Sequence, residues 1–305
     1  MRYTGPINEK GSALMNFKRL RSPRYLTIAA FPVFFLAARH AAPSPKAIPS
    51  RKLDLKHLAS KQPAKEKYFS SILWCVMENH GFGQVKDLKS SRYFMRHGAV
   101  LMQYTGDGHP SGPNYRVLVS GKAWSRKEVY THPQRTVVTE LNRLGIPTLD
   151  WHLWGKPDLK HDPYRELHSK VLTVTGPLDP DQLPAHVQIY MGANDLNNAH
   201  SASLGPVDRN FMSLINRLEH SKWFHRPDAL GHYPVVAVTW DESFLKGGLI
   251  FTAFLGDGVK EGYASDKPYN HLSFCRTLTD NWGLAPLEAA SNSTPIDDIW
   301  KAAHD

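Results

Sequence analysis

Ser71-Ile-Leu-Trp-Cys-Val-Met77 is an apolar run of strand length that passes directly into Glu78-Asn79-His80, with Gly81 and Gly83 beyond. A strand apolar at successive positions is covered on both faces, as in the parallel sheets of α/β proteins. Polar residues just past the carboxyl end of such a strand are where these sheets carry their chemistry. The same pattern recurs along the chain. Val100–Tyr104 reads as a strand, followed by the turn-rich Gly106–Pro110 and a helix from about Pro113 to Ser120, stopped by Gly121. Thr136–Leu144 has helical spacing with Gly145 as its stop, and Pro147–Trp151 reads as a short strand. Val187–Met191 leads into Asn194-Asp195, and Val207–Leu218 is helical. Pro234–Trp240 is the clearest buried strand, with Asp241-Glu242 at its tip. Leu249–Leu255 is a further strand and His271–Trp282 a helix. This alternation predicts an α/β fold with a mostly parallel central sheet and helices on both faces.

Four strand tips collect the residues with chemical potential: Glu78-Asn79, Ser111, Asn194-Asp195 with His200, and Asp241-Glu242, joined by His271 at the start of the last helix. Carboxylates that follow buried strands are costly unless a divalent cation offsets their charge. Read singly, each has an ordinary explanation: an exposed turn, a helix cap, or one of sixteen histidines at the surface or in the core. Their shared placement points to metal-assisted hydrolysis without naming the bond.

The motifs narrow this. Trp74–His80 resembles the "VxMENH" opening of the bacterial phosphoesterase family that holds acid phosphatases and phosphatidylcholine-type phospholipases C. His109-Pro-Ser-Gly-Pro-Asn-Tyr115 with Leu118–Gly121 is similar to its "HPSxPNY…SG" element, and Lys160-His-Asp-Pro163 to its "KHNP". Tyr190–Asn198 with His200 is similar to its "PNDxNxxH" block; Val238–Ser243 and Tyr269–Ser273 complete the series in family order, over residues 72–284. The chain departs from the pattern at Asn270, where Asp is common, at Leu272, which replaces an aromatic, and at Gly112, where an apolar residue is usual.

The resemblance implies an alkaline-phosphatase-like three-layer sandwich and a phosphoric ester hydrolase with Ser111 as nucleophile. It implies one or two divalent cations, drawn from zinc, manganese, magnesium, calcium or iron. Glu78, Asn79, Asp241 and Glu242 would form an oxygen-rich site beside Ser111, suited to magnesium, manganese or calcium. Asp195, His200 and His271 would form a second, suited to zinc, iron or manganese. His161 would contact the phosphate, protonate the leaving group or serve the structure, and Asn114 would shape the nucleophile turn. A phosphomonoesterase with a phosphoseryl intermediate leads. A phospholipase C or other phosphodiesterase is the alternative, and a non-catalytic protein held on anionic membranes by its basic leader is the remote one. The substrate would be a phosphate ester, either a small molecule or a phospholipid headgroup.

Composition frames these readings. Hydrophobic residues at 41% and charged residues at 21% are ordinary for a globular protein. The net charge of +9 favours anionic partners, but much of the excess lies in the first 70 residues and no nucleic-acid motif accompanies it. No nucleic-acid partner is expected. Basic Lys18–Arg24 followed by the apolar stretch 25–38 has the pattern of a secretory signal peptide, too short for a bilayer span. Export to the periplasm or medium is expected, with an uncleaved N-terminal anchor and peripheral membrane contact as the competing arrangement. Residues 39–68, rich in Ala, Pro, Ser and Lys, read as a linker, and 69–305 as the phosphoesterase domain. Two cysteines, Cys75 and Cys275, read as buried thiols, with a pairing between them left open.

Overall fold

A computed structural model describes residues 55, 66–123, 125–245 and 247–302. The basic and apolar leader and most of the linker lie outside the described residues. Among those described, no helix is long and apolar enough to cross a membrane. Glu66, Lys67 and Tyr68, which composition placed in the linker, are part of the packed domain. Tyr68 is 8% exposed, stacks on Trp300 and donates its hydroxyl to Asp280 at 2.6 Å.

In chain order the elements are β1 (Ile72–Met77), α1 (Phe82–Val85), α2 (Lys89–His97), β2 (Ala99–Thr105), α3 (Ser111–Ser120), α4 (Val137–Leu144) and β3 (Thr148–His152). There follow α5 (Pro163–Glu166), β4 (Leu172–Thr175), β5 (Gln188–Met191), α6 (Leu204–Glu219), β6 (Val235–Trp240), β7 (Thr252–Leu255), β8 (Tyr263–Asn270) and α7 (His271–Asn281). The strands form one eight-stranded sheet in the order β4-β3-β5-β1-β6-β7-β2-β8. β7 runs antiparallel to both its neighbours, and the other pairings are parallel. The fold is the expected three-layer α/β sandwich.

β1 lies between β5 and β6, in register Cys75↔Met191 and Met77↔Trp240. Every residue of β1 and β6 is buried, as their largely apolar sequences lead one to expect; Thr239, the polar exception in β6, pairs its hydroxyl with that of Thr252 at 2.7 Å. Trp74 carries much of the packing on one face, with Tyr190, Phe274 and Tyr164 around its ring at 4.7, 5.5 and 6.3 Å. Phe94 of α2 stacks on Phe211 of α6 at 6.0 Å. Cys75 on β1 and Cys275 on α7 are both free and buried.

The register has a functional consequence. Because Met77 pairs with Trp240, the next residues, Glu78 and Asp241, leave the sheet side by side at its carboxyl edge. Gly106 makes room for the chain leaving β2, since a Cβ there would lie 2.5 Å from the Asp241 carbonyl oxygen. The loop thus passes against the Asp241 backbone before Ser111 opens α3.

Candidate active site and metal cluster

Ser111 is the first residue of α3, and the helix ends at Gly121 in the left-handed conformation (φ 64°). The first turn of a helix leaves N–H groups without intrahelical partners and favours a negative charge in front of them. Ser111 Oγ donates to Glu78 Oε2 at 3.0 Å and approaches Glu242 Oε1 at 3.3 Å. Asn114, one turn further on, shapes the preceding loop as expected. Its Oδ1 accepts from the N–H groups of Asp107 and Gly108 at 3.0 and 3.2 Å, and its Nδ2 donates to Gly108 O at 2.6 Å. The same Nδ2 also reaches Glu242 Oε2 at 3.0 Å, tying the turn to the carboxylates.

Glu78 is the hub. Its Oε1 accepts the Tyr115 hydroxyl at 2.6 Å and lies 3.1 Å from His161 Nε2. Burial pushes its carboxyl up to about 7, against the lowering effect of the Tyr115 and Ser111 hydroxyls. Asn79 holds a positive φ of 60°, a conformation that costs energy outside glycine and recurs at functional sites. It places the Asn79 N–H on Asp241 Oδ1 at 2.9 Å and its Nδ2 on Glu78 Oε2 at 3.2 Å. Asp241 is fully buried; burial first, then Glu78 and Glu242, drives its carboxyl well above the usual range. Glu242 is raised by burial and held back by His109, whose Nδ1 lies 2.9 Å from its Oε1.

His161 stands between the two expected metal sites. Its Nδ1 is 3.1 Å from Asp195 Oδ1 and its Nε2 is 3.1 Å from Glu78 Oε1. Burial, then the nearby Lys160, pushes its imidazole down to about 4, so the ring is neutral near pH 7. A neutral buried imidazole suits ligation better than delivering a proton to a leaving group.

Glu78, His161 and His200 present ligand atoms within 4.8 Å of one another, and so do Asp158, His161 and Asp195. The structure therefore joins Glu78 to the Asp195–His200 side through His161, where sequence analysis had two separate sites. Asp241 and Glu242 approach Glu78 by another route, through Asn79 and Ser111. His271 departs from expectation. It does not lie with Asp195 and His200: its Nε2 is 2.6 Å from the Asp241 carbonyl oxygen and its Nδ1 3.1 Å from the Tyr104 hydroxyl. With both ring nitrogens engaged in a fully buried setting, His271 braces the Asp241 backbone.

These residues fit a divalent cation. Asp241 Oδ2 is buried with no hydrogen-bond partner, at a point where three carboxylates crowd together. His161 Nε2 approaches Glu78 Oε1 to 3.1 Å yet makes no hydrogen bond, the relation of two ligands around a shared centre. Tyr115, His109 and Asp158 were missed in the sequence. Tyr115 and His109 are within the quoted "HPSxPNY" element, and their direction toward Glu78 and Glu242 appears only once α3 is placed. The departures from the family pattern are accommodated: Asn270 caps α7 by accepting the Ser273 N–H at 3.1 Å, and a Cβ at Gly112 would make only an ordinary 3.5 Å contact with Lys160 O.

No protein-family model matches the chain. A phosphatidylinositol-3-phosphatase of Mycobacterium tuberculosis is 24% identical over 258 residues, covering 76% of this chain and 83% of that protein. A protein in the alkaline phosphatase superfamily from Vibrio parahaemolyticus superposes with a TM-score of 0.57 and 12% identity, over 77% of this chain and 72% of that one. The lipoteichoic acid synthase LtaP from Listeria monocytogenes gives 0.52 and 9%, over 79% and 81%. The sheet order, the site at its carboxyl edge and these likenesses give the chain the fold of the alkaline-phosphatase superfamily.

Proposed function

We propose that the chain hydrolyses phosphate monoesters, with Ser111 as the nucleophile and a phosphoseryl intermediate. The coarser reading, a phosphoric ester hydrolase, is supported by the mycobacterial phosphatase at 24% identity. The observation that carries the finer one is Ser111 Oγ at a helix N-terminus, 3.0 Å from Glu78 and 3.3 Å from Glu242. Glu78 and Glu242 hold the hydroxyl in front of α3, whose first-turn N–H groups favour the phosphoryl oxygens. The Ser111 oxygen forms a bond to phosphorus as the ester oxygen departs, and water then cleaves the phosphoserine to return the hydroxyl. Glu78, His161 and His200, with Asp195, Asp241 and Glu242 close by, would hold a divalent cation, which would supply Lewis-acid stabilisation of the phosphoryl charge. Turnover of a chromogenic phosphomonoester, lost in chelator and restored by divalent cation, is the expected result. Faster turnover of a diester would move the assignment to the phosphodiesterase alternative.

One feature favours a substrate with an apolar body. The segments that follow Glu78 and Glu242 in the chain line a groove of about 570 Å³, with Phe82, Phe244, Leu245 and Leu249 among its walls. Phe244 and Leu245 are 80% and 72% exposed, although each follows closely on Glu242. An acyl chain or bilayer surface would cover them while its headgroup phosphate reached Ser111, and the mycobacterial relative is named for a lipid phosphate. Replacing both with serine is expected to lower turnover of a vesicle-borne phosphatidylinositol phosphate by about ten- to a hundredfold, from lost apolar burial. Turnover of a soluble monoester should hold. Equal loss on both substrates would remove the lipid reading.

We also propose export, from the basic and then apolar leader at 18–38. N-terminal sequencing from the native host should find a start between about Arg39 and Ile48, whereas full-length protein confined to the cytosol would count against export.

A further inference from the structure

β3 sends Thr148, Asp150 and His152 to one face of the sheet by its two-residue period, and all three are buried. On β5, Gln188 and Tyr190 stand opposite Thr148 and Asp150. The segment from Leu159 to Glu166 adds Asp162, which is fully buried and caps α5 by accepting the Arg165 N–H at 3.0 Å. Asp150, His152 and Asp162 offer three ligand atoms within 4.8 Å of one another.

The polar atoms of this group lack ordinary partners. His152 Nε2 is 2.9 Å from Asp150 Oδ1 and 3.8 Å from Asp162 Oδ2. Yet neither oxygen of Asp150 nor Nε2 of His152 has a hydrogen-bond partner. A carboxylate with no hydrogen bond and no exposure is among the costliest arrangements in a folded chain. A 2.9 Å nitrogen–oxygen approach without hydrogen-bond direction is the spacing of two ligands that share an ion. Asp162 adds a second buried carboxylate charge to the same group. Arg165 Nη1 offsets part of it at 3.3 Å from Asp162 Oδ2, from a side chain 31% exposed. Among the described ion pairs it does not reach Asp150.

We propose that Asp150, His152 and Asp162 bind a divalent cation in a structural site separate from the catalytic cluster. One imidazole nitrogen with carboxylate oxygens suits zinc, with manganese or iron(II) next. The position gives the ion a task. Asp162 immediately follows His161, whose ring reaches both Glu78 and Asp195 and whose carbonyl accepts the Tyr190 hydroxyl at 2.6 Å. A cation joining β3 to Asp162 fastens the His161 segment to the sheet and so positions that ring. The site does not depend on the phosphoesterase reading, because none of its ligands belongs to the catalytic cluster.

The test measures metal and stability together. A Glu78→Gln/Asp241→Asn double variant, impaired at the catalytic cluster, is reconstituted with zinc, dialysed and assayed for bound metal. It should retain cation, lose it on further substitution of Asp150→Asn or His152→Gln, and fall by about 5 °C or more in Tm on chelation. If the pocket holds no cation, Asp150→Asn removes an unpartnered buried charge, raises Tm and leaves metal content unchanged; that result would overturn the proposal. Anomalous diffraction from zinc-reconstituted unsubstituted protein decides without any variant. A peak between β3 and Asp162 supports the site, and its absence there after reconstitution with zinc, manganese and iron(II) in turn overturns it.

Discussion

Ser111→Ala is expected to lower kcat by several orders of magnitude while phosphate-ester binding persists. The nucleophile's own oxygen is removed, but the helix N-terminus remains to hold the phosphoryl group, together with the cation that the surrounding carboxylates and imidazoles would bind. A role limited to orienting the phosphate gives a much smaller loss, about ten- to a hundredfold, the scale of one hydrogen bond to a charged group. The two mechanisms therefore differ in magnitude as well as kind. Stereochemistry separates them without mutation. Attack by Ser111 followed by attack of water inverts phosphorus twice, so a chiral phosphate monoester should react with net retention. Net inversion would exclude a phosphoserine even in an active phosphatase. Substituting Ser111 also removes a donor to Glu78 and Glu242, so the variant's Tm should be measured beside kcat to keep folding apart from chemistry.

The central strands were legible because burial on both faces leaves them almost wholly apolar. β1 is apolar from end to end and β6 is apolar but for Thr239, and both run into acidic residues where the chain leaves the sheet. β8 was not legible: Tyr263–Asn270 is an outermost strand with several exposed positions, including Asp266 and Lys267, and lacks both the apolar run and a regular alternation. β4, the opposite edge, buries only Val174. α2 was missed for another reason, since Lys89–His97 has few apolar residues and buries two serines beside Phe94. Within the site, the tips of β1, β5 and β6 could be listed from the sequence, but not which tips share a centre. That depends on strand order. Placing β5 and β6 on either side of β1 brings Asp195 and Asp241 to opposite flanks of Glu78, and His161 closes the first flank from a short turn with no periodic signal. His271 was misplaced because a histidine at a helix start reads alike whether it faces a ligand or a carbonyl, and only the packing of α7 directs it to the Asp241 backbone.

Asp241→Ala is expected to abolish activity and lower bound metal, because water replaces a charged ligand poorly. The gentler Asp241→Asn exposes the physical reason through stability. Asp241 Oδ1 already accepts the N–H groups of Asn79 and Glu242 at 2.9 and 2.7 Å, and an asparagine oxygen can keep both bonds. What asparagine removes is the charge, and with it the unpartnered Oδ2 that faces Glu78 and Glu242. In chelated protein that charge has nothing to offset its burial, so Asp241→Asn should melt above the unsubstituted chain. With saturating divalent cation the order should reverse, since the carboxylate then contributes binding energy only to the folded state. The pH dependence has a matching sign. Glu78 titrates near 7 in the fold against 4.5 in the unfolded chain, so the folded state holds the extra proton between those values. Metal-free protein should lose stability as pH rises from 4.5 to 7, by of order 3 kcal/mol from this group. Saturating cation should flatten the slope, because the folded carboxylate then no longer needs its proton. If chelation leaves the Tm order of the two proteins and the pH slope unchanged, Asp241 and Glu78 do not share a cation, and the metal centre has to be sought among other residues.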